Sequence, residues 1–391
     1  MIKNRIRRAR EPATLGRRPL ALALGALIPF LAACSDSSDS PIAAAPPAPP
    51  PEEIEPQAVP FQELLDQGIA RYLGEYTPML SEQDGDIVNH SFGAGDGPLC
   101  LTGGEYTMAT RDTGSEDLVI FLQGGGACWS DLCLATEQAA PGIPPLGVLD
   151  PTVEGNPLAG MSMVYLPYCD GSLHAGDQDV DTDDDGEADR FHRGLHNLSA
   201  SLDVAVSAFP SPRRIVLTGV SAGAFGTTYA LPLVRTLYPD VPIDLVNDSG
   251  IGLGRIDQPE FITQLLTEWN ATAFFPESCD TCIGDDGHTT DYHKYQLEED
   301  DKLRLGMMSH TRDTVIAVTF VQVGGEAFEE ALIAELDDLE AAYPERVKSF
   351  VATGPAHTFL IGDLNKTAGG VTVADWVSSM LDGEGWETTR D

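Results

Sequence analysis

The sequence predicts an α/β fold built on a largely parallel sheet. Three observations carry that prediction. Short apolar runs alternate with amphipathic helical patterns from about Phe61 onward, a G-x-S-x-G turn joins one such run to a helix, and polar residues gather where the runs end. Apolar residues make up 42% of the 391, enough for a sizeable core, so disorder of the whole chain is excluded. No internal repeat is visible.

In chain order, Lys3, Arg5, Arg7, Arg8, Arg10, Arg17 and Arg18 precede the apolar run 20–31, which is too short for a comfortable permanent span. Residues 1–33 therefore read as a secretory signal peptide. The run ends in Leu31-Ala32-Ala33-Cys34, which resembles the lipobox of a bacterial lipoprotein, whose cysteine becomes the acylated first residue. Serine and aspartate at 35–40 and prolines at 46–51 show no apolar periodicity, so residues 34–60 read as a disordered tether. Residues 61–391 read as a single domain without a further membrane-spanning run, held by Cys34 on a bacterial membrane and facing the periplasm or the exterior.

Within that domain, strands are expected at 117–122, 161–166, 214–219, 242–247, 302–309 and 346–352. Helices are expected at 195–209, 222–237 and 258–269, and Val373, Val377, Met380 and Leu381 mark a closing helix. Over 326–343, Phe328, Leu332, Leu336, Leu339 and Tyr343 recur every three or four residues, so one stripe faces the sheet. Strand-end loops carry the polar residues, so the chemistry is expected at the carboxyl edge of the sheet.

Charge narrows the partners. The chain carries 23 Lys and Arg against 61 Asp and Glu, a net charge of −38, and beyond Ala33 it reaches −44 (16 bases, 60 acids). Such a surface repels nucleic acid and strongly anionic polymers, so a neutral or acyl-masked substrate approaches more readily.

The G-x-S-x-G turn is Gly219-Val220-Ser221-Ala222-Gly223, with a strand before it and a helix after it. A serine thrust out of so sharp a turn leaves no room for side chains two residues away, and the helix N-terminus offers N–H groups to an oxyanion. Serine is a weak nucleophile unless a histidine takes its proton and a carboxylate orients that histidine. Of eight histidines, His357 sits in the loop after the last expected strand. Two later acids follow strands, Asp248 and Asp313. An α/β-hydrolase layout favours Asp313, leaving Asp248 as the alternative acid or as a group shaping the pocket floor. A second oxyanion donor is expected from the turn Gly124-Gly125-Gly126-Ala127-Cys128-Trp129. No G-K-[ST] follows it, which argues against a phosphate loop.

Together, that glycine turn, Pro167-Tyr168-Cys169-Asp170-Gly171, Gly219-Val220-Ser221-Ala222-Gly223-Ala224 and the 354–358 loop bearing His357 resemble the pectin acetylesterase family, which also includes the animal Notum carboxylesterases. The resemblance spans roughly residues 99–360. It implies an α/β-hydrolase-like fold, a triad of Ser221, Asp313 and His357, backbone donors at Gly125, Gly126 and Ala222, and hydrolysis of carboxylate esters, commonly O-acetyl groups of polysaccharides, with no catalytic cofactor. Val220 stands where many members carry cysteine. An acyltransferase or polyester depolymerase on the same fold, or an inactive surface-binding lipoprotein, are the alternatives.

Six cysteines follow Cys34, an even number suited to an oxidising compartment. They allow fifteen pairings. Proximity favours Cys128 with Cys133 and Cys279 with Cys282, leaving Cys100 with Cys169. The C-x-x-C at Cys279 could serve zinc or redox chemistry, but without a second such motif or a nearby histidine pair a loop staple is favoured. Residues 177–189 hold eight acids and no base. Their D-x-D-x-D-G core, Asp181, Asp183, Asp185 and Gly186, has calcium-loop spacing, closed by Asp189 because position twelve is His192. A structural Ca²⁺ is the expectation, against a solvated acidic loop.

Overall fold

A ten-stranded sheet forms the spine of the computed structural model, which describes residues 59–93, 95 and 97–391. The expected signal peptide, Cys34 and nearly all of the 34–60 tether lie outside these residues. The strands are β1 (Leu80–Asp84), β2 (Ile87–Phe92), β3 (Tyr106–Arg111), β4 (Asp117–Leu122), β5 (Ser162–Leu166), β6 (Arg214–Val220), β7 (Ile243–Asp248), β8 (Leu303–His310), β9 (Val347–Ala352) and β10 (Thr389–Arg390). Their order across the sheet is β1-β2-β3-β5-β4-β6-β7-β8-β9-β10. From β5 to β10 every pairing is parallel, while β1, β2, β3 and β5 pair antiparallel. This is an α/β-hydrolase-like sheet with an antiparallel extension.

The extension departs from the expected alternation of strands and helices. Asp84-Gly85-Asp86 turns the chain back on itself, Asp84 pairing with Ile87 and Gly85 taking φ +63°. That turn returns the chain as a hairpin and leaves no crossover helix. All of β1 is exposed, so it lacks the apolar alternation that marks a half-buried strand.

Helices cover both faces of the parallel part: α1 (Gly194–Ala208), α2 (Ala222–Leu237), α3 (Phe261–Glu268), α4 (Thr290–Glu299), α5 (Gly325–Ala342) and α6 (Val373–Asp382). Leu118, Ile120 and Leu122 of β4 join the core beneath α2 and α5, whereas Val119 and Phe121 join the one beneath α6. Burial on both faces explains why these strands read as continuous apolar runs. On α5 the stripe Phe328, Leu332, Leu336 and Leu339 is buried, each side chain worth about 1.5–3 kcal/mol of burial. Among the described residues no helix is long and apolar enough to cross a membrane.

Strand order sets the position of the site. After β4 the chain steps outward to β5, then returns across β4 to β6 on the other side. The switch point thus lies between the carboxyl ends of β4 and β6, where open α/β sheets bind ligands. Leu122 and Gly219 are paired there, bringing the glycine turn after β4 against the serine turn after β6.

Candidate active site

Ser221 occupies the single residue between β6 and α2, at φ 57° and ψ −125°. A non-glycine residue held at positive φ carries local strain, and its neighbours enforce it here. A Cβ on Gly223 would lie 2.1 Å from the Leu122 carbonyl oxygen, and one on Gly219 would lie 2.4 Å from that of Gly223. The Ser221 N–H donates to the Asp248 carbonyl at 2.9 Å, tying the turn to β7. The first N–H groups of α2, including that of Ala222, have no intrahelical partner.

Beside the serine, a Cβ on Gly124 would stand 2.8 Å from that of Ser221, so the glycine turn lies against it. Several contacts fix this turn. The Gly125 carbonyl accepts from Thr136 N–H at 2.8 Å, and the Tyr168 N–H donates to Gln123 Oε1 at 3.1 Å. His174 Nε2 lies 3.0 Å from the Gln123 carbonyl, and burial lowers the pKa of this imidazole, so a neutral ring donates there. The Cys128–Cys133 disulfide closes the hairpin that follows, Gly126–Trp129 with Leu132–Ala135. Cys100–Cys169 and Cys279–Cys282 form the other two pairs, as the spacing favours. Three disulfides fit an extracytoplasmic compartment.

His357 lies in the loop after β9, and its Nδ1 donates to Asp313 Oδ2 at 2.7 Å. Asp313 is fully buried three residues past the end of β8, and His357 is 19% exposed. The other Asp313 oxygen, Oδ1, accepts the N–H groups of Val315 and Ile316 at 3.0 and 3.1 Å. Both carboxylate oxygens are thus committed, which leaves His357 Nε2 as the ring nitrogen not engaged by Asp313. Backbone bonds from Arg312 to Gly354 and from Thr314 to Pro355 join the two loops.

Asp248 does something else. Its Oδ2 accepts the N–H groups of Phe359 and Leu360 at 2.7 and 2.8 Å, anchoring the segment just past His357. Burial pushes its carboxyl up to about 6 against those bonds. His310 is the last residue of β8. It stacks on Phe359 at 4.0 Å, and burial pushes its imidazole down to about 4, so it is neutral near pH 7.

Two cavities meet at Ser221. One of about 290 Å³ is lined by Gly124, Gly125, Gly126, Ser221 and His357 together with apolar side chains. The other, of about 50 Å³, is lined by Gly126, Ser221, Ala222, Trp129, Phe225 and Phe320 among others. Gly125 and Gly126 thus line the larger cavity with Ser221 and His357, and Ala222 lines the smaller one with Ser221. Sequence reasoning missed the cavity walls, Phe225, Phe320 and Val315, and also His174; the apolar run 315–321 after Asp313 was the available signal.

Two groups of side chains of metal-ligating type lie close together among the described residues. Carboxylate oxygens of Asp181, Asp183 and Asp185 lie within 4.8 Å of one another. Asp189 stands apart from them, accepting from the Thr182 N–H and hydroxyl. Asp177 and Asp179, at the start of this acidic stretch, pair with Arg71 and Arg193. In the second group, Asp286, His288 and Glu335, the His288 Nδ1 accepts from Gly254 N–H at 2.9 Å. The proton of the neutral ring then sits on Nε2, facing Asp286, where a metal would need a lone pair.

An open parallel sheet with a serine elbow at its switch point and a His–Asp pair on the following loops defines the α/β-hydrolase class of protein. Residues 88–279 match the family model for pectinacetylesterase, and the chain belongs to that family. It is accordingly a carboxylic ester hydrolase of the kind that acts on acetylated substrates. No curated protein matches the chain. The matched stretch contains the glycine turn and Ser221 and ends before Asp313 and His357.

Proposed function

We propose that the chain hydrolyses short-chain carboxylate esters, O-acetyl groups of a polysaccharide foremost, through an acyl-enzyme on Ser221. The observation that carries this reading is the 2.7 Å contact of His357 with buried Asp313, on a cavity that His357 shares with Ser221. Ser221 Oγ attacks the ester carbonyl carbon while His357 Nε2 takes its proton, and Asp313 stabilises the imidazolium through Nδ1–H. The N–H groups of Gly125, Gly126 and Ala222 receive the oxyanion. As the tetrahedral intermediate collapses, His357 returns the proton to the departing alkoxide. Water, deprotonated by the same histidine, then releases the acid and restores Ser221. No cofactor is required.

Acyl length follows from the smaller cavity. A water-sized group needs roughly 10–15 Å³ by this measure. The 50 Å³ cavity then holds an acyl chain of about two to four carbons. Phe225 and Phe320, with ring centroids 5.4 Å apart, are among its lining side chains. Acetate to butyrate esters of one alcohol should turn over about tenfold or more faster than the octanoate, by the roughly 1–3 kcal/mol that a misfitted pocket costs. Phe320→Ala should shift the optimum to longer chains. Equal rates from acetate to octanoate in the wild type would refute this assignment.

The reading includes a signal peptide over residues 1–33, a lipid anchor at Cys34 on a bacterial membrane, a tether to residue 60 and one catalytic domain over 61–391. Cys34→Ala should abolish incorporation of labelled fatty acid; undiminished labelling would remove the anchor. A structural Ca²⁺ held by Asp181, Asp183 and Asp185, with Asp189 closing the loop, completes it. Calcium should raise the melting temperature by a few degrees over chelator. Identical melting in both would count against the ion.

A further inference from the structure

We propose that the alcohol released by this enzyme is neutral and presents an apolar face, so that the preferred acetylated partner carries no carboxylate beside the scissile ester. The proposal rests on the assignment of Ser221 and His357 above. A general acid must reach the leaving oxygen, so the alcohol lies on the histidine's side of the serine. His357 lines the 290 Å³ cavity and not the 50 Å³ one, which makes the larger cavity the alcohol site.

Besides the glycine turn, Gln123, Ser221 and His357, the lining of that site is mostly apolar and includes Phe121, Pro144, Leu146, Leu149, Val315 and Ile361. Among the described residues, neither cavity is lined by an Asp, Glu, Lys or Arg. Arg312, adjacent in sequence to Asp313, is engaged with Glu329. A uronate carboxylate placed here would give up water without gaining a cation or a set of N–H donors, a cost that charged groups pay heavily. The opposite preference is built in. Of the eight large apolar side chains exposed on the described surface, Leu134, Leu146 and Val315 all border these two cavities. Three of the eight thus gather at this one mouth, as expected where an apolar ligand face docks. The net charge of −38 adds long-range repulsion of any polyanion.

The test compares acetate release from 4-acetoxybenzamide and 4-acetoxybenzoate, and from acetylated xylan and acetylated polygalacturonate. The wild type should favour the neutral member of each pair by tenfold or more in kcat/KM. For the small pair that ratio should survive about 1 M salt, where the Debye length is near 3 Å and only the cavity itself still discriminates. Leu146→Arg, at a side chain that is half exposed and so tolerant of change, should raise the rate on the benzoate and bring the ratio below about threefold. Equal wild-type rates on both members, or a ratio that vanishes in salt, would overturn the proposal while leaving the triad standing. No turnover of either ester, with Ser221 unlabelled by a fluorophosphonate, would instead overturn the triad itself.

Discussion

Ser221→Ala is expected to lower kcat on a small acetyl ester by about 10⁵- to 10⁶-fold, the scale seen when a triad nucleophile is deleted. The size of the effect comes from the chemistry. Without Oγ no acyl-enzyme forms, and a water attacking directly would have to be aligned by His357 in a site shaped for the side-chain oxygen. The oxyanion donors and the two cavities would survive, so KM should change little and a residual rate above the uncatalysed one should remain. The fold should survive too. Ser221 N–H and C=O make the turn's bonds, to Asp248 and from Ala224 and Phe225, and alanine keeps both groups. The strain at φ 57° is also kept, since alanine bears the same Cβ. Ser221→Gly should release that strain and stabilise the chain by about 1 kcal/mol while being equally inactive. A fluorophosphonate should label the wild type and neither variant. Wild-type activity in Ser221→Ala would end the triad reading.

Much of the architecture was legible because the parallel strands and their helices are continuous apolar or amphipathic patterns. The reading of 117–122 as a strand and 222–237 as a helix agrees with the structure at both ends. The N-terminal strands were not read, although Asp84-Gly85 offered a hairpin signal, because solvent-facing edge strands carry little periodicity. Residues 315–321, Val-Ile-Ala-Val-Thr-Phe-Val, have a strand-like composition but wind into a π-type helical turn. Asp313 caps that turn through Oδ1, a local pair of bonds that the strand-like composition of 315–321 does not reveal. The order Ser221, Asp313, His357 was visible in the chain. The cavities were not, since their walls come from segments as distant as Phe121, Leu146, Val315 and Ile361.

Asp313→Asn and Asp248→Asn should separate the two acids that sequence alone left in competition. For Asp313→Asn the expected loss in kcat is about 10⁴-fold, because an amide facing Nδ1 favours the wrong imidazole tautomer and leaves the imidazolium without its counter-charge. Asp248→Asn should cost no more than about tenfold, since the amide oxygen can still accept the Phe359 and Leu360 N–H groups that hold the histidine loop. Its signature lies in stability. The folded Asp248 carboxyl, at about 6, stands above its ordinary value near 3.8, so the native state binds the proton more tightly than the unfolded chain. Stability contributed by this group is full below about pH 4 and is lost as pH rises through 6. At neutral pH the ionised, buried carboxylate then costs on the order of 2–3 kcal/mol, a cost the asparagine does not carry. Urea unfolding should show the wild type losing stability relative to Asp248→Asn between pH 4 and pH 7 by that amount. If Asp248→Asn lost 10⁴-fold in kcat and Asp313→Asn did not, the roles would be reversed. The 2.7 Å contact at Asp313 would then orient a histidine that does no catalysis.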